Sequence, residues 1–319
     1  MNKIAAGVAA IHLLLAAGAA SAQGDVTRLV VAFPPGGPVD FVARTIAVQL
    51  GKELKQQVIV DNRPGANGAI AANFVTQARA DGHVLWLCSA GAMTINPTLY
   101  PKLGYNAEKD LAPVSLVTNN AELLVVQPSN TVKGANEFVA QMKAGGKPVA
   151  IASTGIGSVP HLAIEQLKSA TGAPITHVPY KGAAPAITDL MGGQVTAMFG
   201  DTAGVIPYVK AGTLKAIGIA APHRTPALPN VPTLVEQGLA NIDSNNWFGL
   251  FVNSKTPPAT IAAINTAIRN TLADPAVREK LATAGSDPAP TTPQALADLV
   301  RSDTAKWAKV IHGANVKVE

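Results

Sequence analysis

Val26-Thr27-Arg28-Leu29-Val30-Val31-Ala32-Phe33 is an apolar, β-branched run, and Pro34-Pro35-Gly36-Gly37-Pro38 stops it. From Val39 to Leu54 the apolar residues recur at helical spacing. A short strand pattern at Val58 to Asp61, a helix at Ala69 to Arg79 and a strand at Val84 to Cys88 follow. This β-α-β-α-β rhythm predicts an α/β fold with a mostly parallel sheet, because parallel neighbours need a long crossover and a helix supplies it.

Outward from that segment the pattern repeats. Leu111 to Val117 and Leu123 to Val126 read as closely spaced strands. Glu137 to Lys143, Val149 to Ser153 and Leu162 to Ser169 then read helix, strand, helix. Ile175 to Val178, Ala183 to Met191, Val195 to Phe199, Val205 to Lys210 and Leu214 to Ile219 continue the alternation. Four prolines between Ala221 and Pro232 mark a loop, and Trp247 to Val252 is a further strand. Helices at Ala259 to Leu272, Ala276 to Ala284 and Pro293 to His312 close the chain. Two βαβ sets with a helical tail predict two lobes around a cleft. Residues 23–124 with 248–319 form the first and 125–247 the second. The chain crosses at Leu123 to Val126 and returns at Trp247 to Val252, and these strands serve as the hinge.

Composition narrows the class. The 319 residues leave room for two cores, and apolar residues make up 48% of them. Aromatics are only 4%, so Val, Ile, Leu and Ala must fill those cores. The net charge of +5 is thinly spread, with no basic run, which argues against a nucleic-acid partner. The lone Cys88 offers neither a disulfide nor a metal cluster and reads as a buried small hydrophobe. Lys3, the apolar run Ile4 to Ala20 and the small residues Ala20-Ser21-Ala22 form an export signal, with cleavage expected after Ala22. No nucleotide loop, nucleophile elbow or metal motif occurs, so neither a cofactor nor a metal is expected.

Three loops follow strands and open helices, where ligands of parallel sheets bind. In Phe33 to Asp40, Gly36 and Gly37 bring backbone close, and the helix start offers free N–H groups to an anion. Asp40 is expected to brace this loop. Ser153-Thr154-Gly155-Ile156-Gly157-Ser158-Val159-Pro160-His161 repeats the arrangement with hydroxyls, Ser158 as a helix cap and His161 nearby. Ser89 to Thr94 is small and hydroxyl-bearing. Each of these turns either holds a ligand or simply joins a strand to a helix. Tyr180 and Lys181 are placed to reach the cleft, or Lys181 is a solvated charge. Asp201 either accepts from a ligand or caps the next helix. An exported hydrolase with Ser89 or Ser158 as nucleophile and His161 as base is the rival reading.

Taken in order, these segments resemble the Bug family of periplasmic solute receptors, the receptors of tripartite tricarboxylate transporters. Phe33 to Asp40 is similar to its P-G-G-x-x-D loop, and Asp61-Asn62-Arg63-Pro64-Gly65-Ala66-Asn67-Gly68 to its E-N-R-P-G-A-G-G segment. Ser153 to His161 resembles G-x-G-S-x-x-H. Val178 to Gly182 with Asp189-Leu190 and Gly193-Gln194-Val195 resembles V-P-Y-K-G…D-L…G-Q-V. Leu228 to Thr233 and Trp247 to Leu250 match later landmarks. Val39 stands where Thr is common, Asn67 replaces a Gly, and Asp201 lies where the family varies. The resemblance implies a Venus-flytrap, periplasmic-binding-protein fold that closes on a small carboxylate. Gly37 and Ser89 would hold it from the first lobe, and Ser153, Thr154, Gly157 and Ser158 from the second. With Phe33, Gly36, Thr94, His161, Tyr180, Lys181 and Asp201 these make up the expected ligand site. The implied setting is the periplasm, as a monomer, with a transporter of one large and one small membrane subunit as partner. Some relatives serve sensing instead.

Overall fold

The computed structural model describes residues 26–240 and 242–317. The expected leader, Met1 to Ala22, lies outside them. The first sheet has six strands. Its parallel centre is β1 (Val26–Val31), β2 (Gln57–Asn62) and β3 (Val84–Ser89), joined through α1 (Pro38–Leu54) and α2 (Ala69–Gln77). Helix α1 forms because Pro38 presets its first turn and Val39, Val42, Ala43, Ile46 and Leu50 bury one stripe. It ends where Lys55 turns left-handed and returns its N–H to Gly51 and Lys52. After β3 the chain winds through a π turn at Gly91–Ile95 into the one-turn α3 (Asn96–Leu99), then reaches β4 (Leu111–Asn120).

The second sheet has five strands: β5 (Glu122–Val126), β6 (Val149–Ser153), β7 (Ile175–Pro179), β8 (Ala197–Asp201) and β9 (Lys215–Ile219). Helices α4 (Ala135–Gly145), α5 (Val159–Thr171), α6 (Ala183–Met191) and α7 (Thr202–Lys210) alternate with them. The chain then returns to the first sheet as β10 (Asn246–Asn253). It ends with α8 (Pro258–Ala273), α9 (Pro275–Thr283), the short edge strand β11 (Ser286–Pro288) and α10 (Pro293–Gly313).

Strand direction departs in part from the sequence expectation. The strands β1 to β4 share one direction, as do β6 to β9. However, β10 and β5 run against their neighbours. The reason is topological. The carboxyl ends of the common strands point into the cleft, so a chain arriving from the other sheet enters at the cleft and must run away from it. The residues expected to cross, Leu123 to Val126, lie within β5 of the second sheet, and the passage itself is Ala121, between β4 and β5.

Each sheet is covered on both faces by its own apolar cluster. The few aromatics concentrate in the first sheet, where Trp86, Trp247 and Phe251 pack together. Val159 and Leu162 of α5 join that same cluster, so the second lobe rests directly on the core of the first. Cys88 is wholly buried, and desolvation raises its thiol well above the ordinary range, which fits an inert core position.

Candidate ligand-binding cleft

The carboxyl ends of β1, β3, β6, β7 and β8 meet at one cavity of ≈ 50 Å³. One water needs roughly 10–15 Å³, so the space suits a small polar molecule between nearly closed lobes. Phe33, Gly37 and Ser89 line it from the first lobe, and Thr154, Ser158, Lys181 and Asp201 from the second. A larger opening of ≈ 570 Å³ adjoins it and shares Phe33, Thr154 and Lys181, with Gly155 and Tyr180 on its wall.

Three helix N-termini converge here. Helix α1 starts at Gly37 with no side-chain cap, and Gly37, Pro38 and Val39 line the cavity. Helix α5 starts at Ser158, whose hydroxyl takes the His161 N–H at 3.3 Å and donates to Gly155 O at 2.7 Å. Helix α6 starts at Gly182, also without a side-chain cap, and Gly182, Ala183 and Ala184 line the cavity. First-turn amides have no partner within their own helix, so Val39, Val159, Ala183 and Ala184, which line the cavity, offer it N–H groups and aligned dipoles. Proline at Pro38 and Pro160 removes an amide that would otherwise need a partner.

Asp40 braces the first loop, as its place in the first turn predicts. Its carboxylate accepts from Gly36 N at 2.9 Å, Arg44 Nε at 2.8 Å and Asn62 Nδ2 at 2.9 Å. Burial pushes this carboxyl upward, but Arg44, the Gly36 amide and Asn62 outweigh it and hold it below the usual range. The Gly36 N–H is therefore spent on Asp40, and Gly36 shapes the turn with φ +81° instead of lining the cavity.

Other expected residues support the wall from behind. Ser153 is buried and bonds His177 Nε2 at 2.6 Å. His177 stacks on His161 with ring centres 3.9 Å apart. His161 Nδ1 accepts from Gly157 N at 3.2 Å. Desolvation pulls His161 down to about 4 and His177 to about 3, the latter helped by the charges of His161 and Lys168. Both rings are neutral at neutral pH. Gly157 turns left-handed at φ +79° and gives its carbonyl to Asn67 Nδ2 at 2.6 Å, a bond between the lobes. Thr94 is buried in the π turn and donates to Ala90 O at 2.7 Å. Tyr180 donates to Asp189 at 2.6 Å and faces the outer opening. Of the two nucleophiles in the rival hydrolase reading, Ser158 is not paired with His161, since its hydroxyl meets backbone groups and not the His161 ring.

Several contributors escaped the sequence reading. The amides of Ala183 and Ala184 follow the same strand–glycine–helix signal as the other two loops and were legible there. Asn246 and Glu122 were not, because they sit at the ends of apolar strands. Asn246 lines the cavity, and its Nδ2 reaches Asp201 Oδ1 at 2.7 Å and Glu122 Oε1 at 3.3 Å.

Two α/β lobes joined by crossing strands, with uncapped helix starts aimed into the gap, define a two-lobed solute-binding protein. The chain belongs to the tripartite tricarboxylate transporter family receptors, whose model matches residues 42–316. Among similar proteins, BugT of Bordetella pertussis is 34% identical over 92% of this chain and 90% of its own. The solved periplasmic binding protein BugD is 30% identical, covering 92% of this chain and 99% of its own, with a TM-score of 0.86. MatC of Rhodopseudomonas palustris, solved with bound malate, is 34% identical over 90% and 99% of the two chains, with a TM-score of 0.82.

Proposed function

We propose that this chain is an exported receptor that closes on a small carboxylate and delivers it to the membrane subunits of a tripartite tricarboxylate-type transporter. It works in the periplasm as a monomer, after removal of Met1 to Ala22, and binds its ligand without transforming it. The observation that carries this reading is the convergence of three helix N-termini on one interlobe cavity. Bound malate in MatC and adipate in a second R. palustris protein, 30% identical to this chain, support a carboxylate as the ligand.

The grip is built from amides of Val39, Val159, Ala183 and Ala184, hydroxyls of Ser89 and Thr154, and Lys181 at the rim. Gly36, Gly157, Ser153, Ser158 and His161 hold these groups in place, Thr94 shapes the Ser89 loop, and Phe33 and Tyr180 wall the mouth. A charge-assisted hydrogen bond contributes about 1.5–3 kcal/mol, so several outweigh the association cost that a micromolar complex must meet. Closure follows because the ligand touches both lobes only when they meet, and that differential alone shifts the population.

A thermal-shift screen against small carboxylates tests the function. A ligand at a hundred times its dissociation constant stabilises the fold by about 2.7 kcal/mol. No shift with any carboxylate, alongside a shift with a neutral sugar or a cation, would contradict the proposal.

A further inference from the structure

Between apolar Phe and Pro side chains, the cavity wall carries donors at the three helix starts, at Ser89 and Thr154 and at Lys181, and its floor carries acceptors. There Asp201, the last residue of β8, and Asn246, the first of β10, face the space. Directly opposite Asp201 in the antiparallel β5–β8 pair stands Glu122, fully buried. Both hydrogens of the Asn246 amide are taken, one by each carboxyl, and its oxygen accepts the Trp247 N–H at 2.9 Å. Asn246 therefore has no donor left for a ligand.

Glu122 Oε2 is buried and has no conventional partner among the described residues. Two carboxyls on one amide, with no ion-pair partner among the described residues, do not both ionise at neutral pH. The more deeply buried Glu122 keeps a proton, and Asp201 carries the charge. A carboxylate accepts about four hydrogen bonds, so Asp201 retains free acceptor capacity toward the cavity. The floor is thus an acceptor with a negative charge, set against a ring of donors.

We infer that Asp201, positioned by Asn246 and the protonated Glu122, selects a carboxylic acid that also bears a hydrogen-bond donor, a hydroxyl or an ammonium. This rests on the carboxylate reading above and narrows it. A plain diacid places a methylene against Asp201 and leaves a buried acceptor unpaired, whereas a hydroxy or amino acid pairs it. A site built to accept from a ligand OH or NH rejects the analogue lacking that group far more strongly than an apolar pocket rejects an extra methylene.

Calorimetry with matched sets differing only in that substituent tests the inference: succinate, malate and aspartate, then glutarate, 2-hydroxyglutarate and glutamate. The native chain is expected to bind a hydroxy or amino member at least roughly tenfold more tightly than its unsubstituted partner. Malate against aspartate then tells which donor the floor prefers. Asp201→Asn is expected to remove most of that preference while diacids still bind. If it does not fold, the order of the native chain decides alone. Equal affinity across a set, or an unchanged preference in Asp201→Asn, would overturn the inference and leave carboxylate capture standing. Binding of no acid at all would overturn both.

Discussion

Asp40 and Gly157 show how single residues set the site without touching the ligand. Asp40 satisfies an amide, a guanidinium and a side-chain amide at once. Asp40→Ala strands those donors, and we expect a loss of about 2–3 kcal/mol in urea unfolding; a change within experimental error would mean the loop stands without it. Because its folded carboxyl lies below the ordinary value, the stability it lends is present above about pH 4 and fades as the pH falls through the folded value. Gly157 needs φ +79°, and an added Cβ would lie 3.0 Å from Leu99 Cδ2 across the cleft. Gly157→Ala should therefore weaken ligand binding roughly tenfold, because Leu99 must shift to admit the methyl group when the lobes close, while the strain of a left-handed alanine, ~1–2 kcal/mol, lowers the stability of the fold. Unchanged affinity in calorimetry would show that the lobes close without that contact.

At the scale of elements, strand and helix punctuation was legible where Gly and Pro mark it. Helix α1 was expected at Val39 to Leu54 and runs Pro38–Leu54, and the three tail helices fall within a residue or two of expectation. The Ser89 to Thr94 loop proved to be the start of a π turn, whose spacing no helical or strand period predicts. The three-residue β11 is too short to carry alternation. Glu122 and Asn246 were illegible for a deeper reason: their burial comes from β5 and β10 pairing with β8 and β4, and sequence alternation carries no trace of that pairing. The Glu122–Asp201 pair has a measurable signature. Desolvation raises both carboxyls, Asp201 to about 6, with Asp201 also raising Glu122. A carboxyl raised on folding favours the fold below its unfolded value, near 4, and costs stability as the pH climbs through its folded value. Glu122→Gln should therefore gain thermal stability relative to the native chain from pH 4 to pH 8. A constant difference across that range would mean that the Glu122 carboxyl is not shifted.

For the whole molecule, the central quantity is the balance between open and closed lobes. Asn67 donates to Gly157 O at 2.6 Å and to Asn96 Oδ1 at 2.8 Å, while Val159 and Leu162 of the second lobe join the core of the first. These contacts favour closure before any ligand arrives. Asn67 itself sits at φ +46°, so Asn67→Gly keeps the backbone and deletes the latch. Small-angle scattering of the unliganded variant should show a larger radius of gyration, and an unchanged radius would assign closure to the apolar contacts alone. The proposed grip depends on peptide N–H groups, more than cationic side chains, holding the acid. A ¹⁵N–¹H correlation titration with a binding carboxylate reads those amides one by one. The predicted result is a saturable downfield proton shift at Val39, Val159, Ala183 and Ala184 larger than at amides outside the cleft. Saturation with those four resonances unmoved would contradict it.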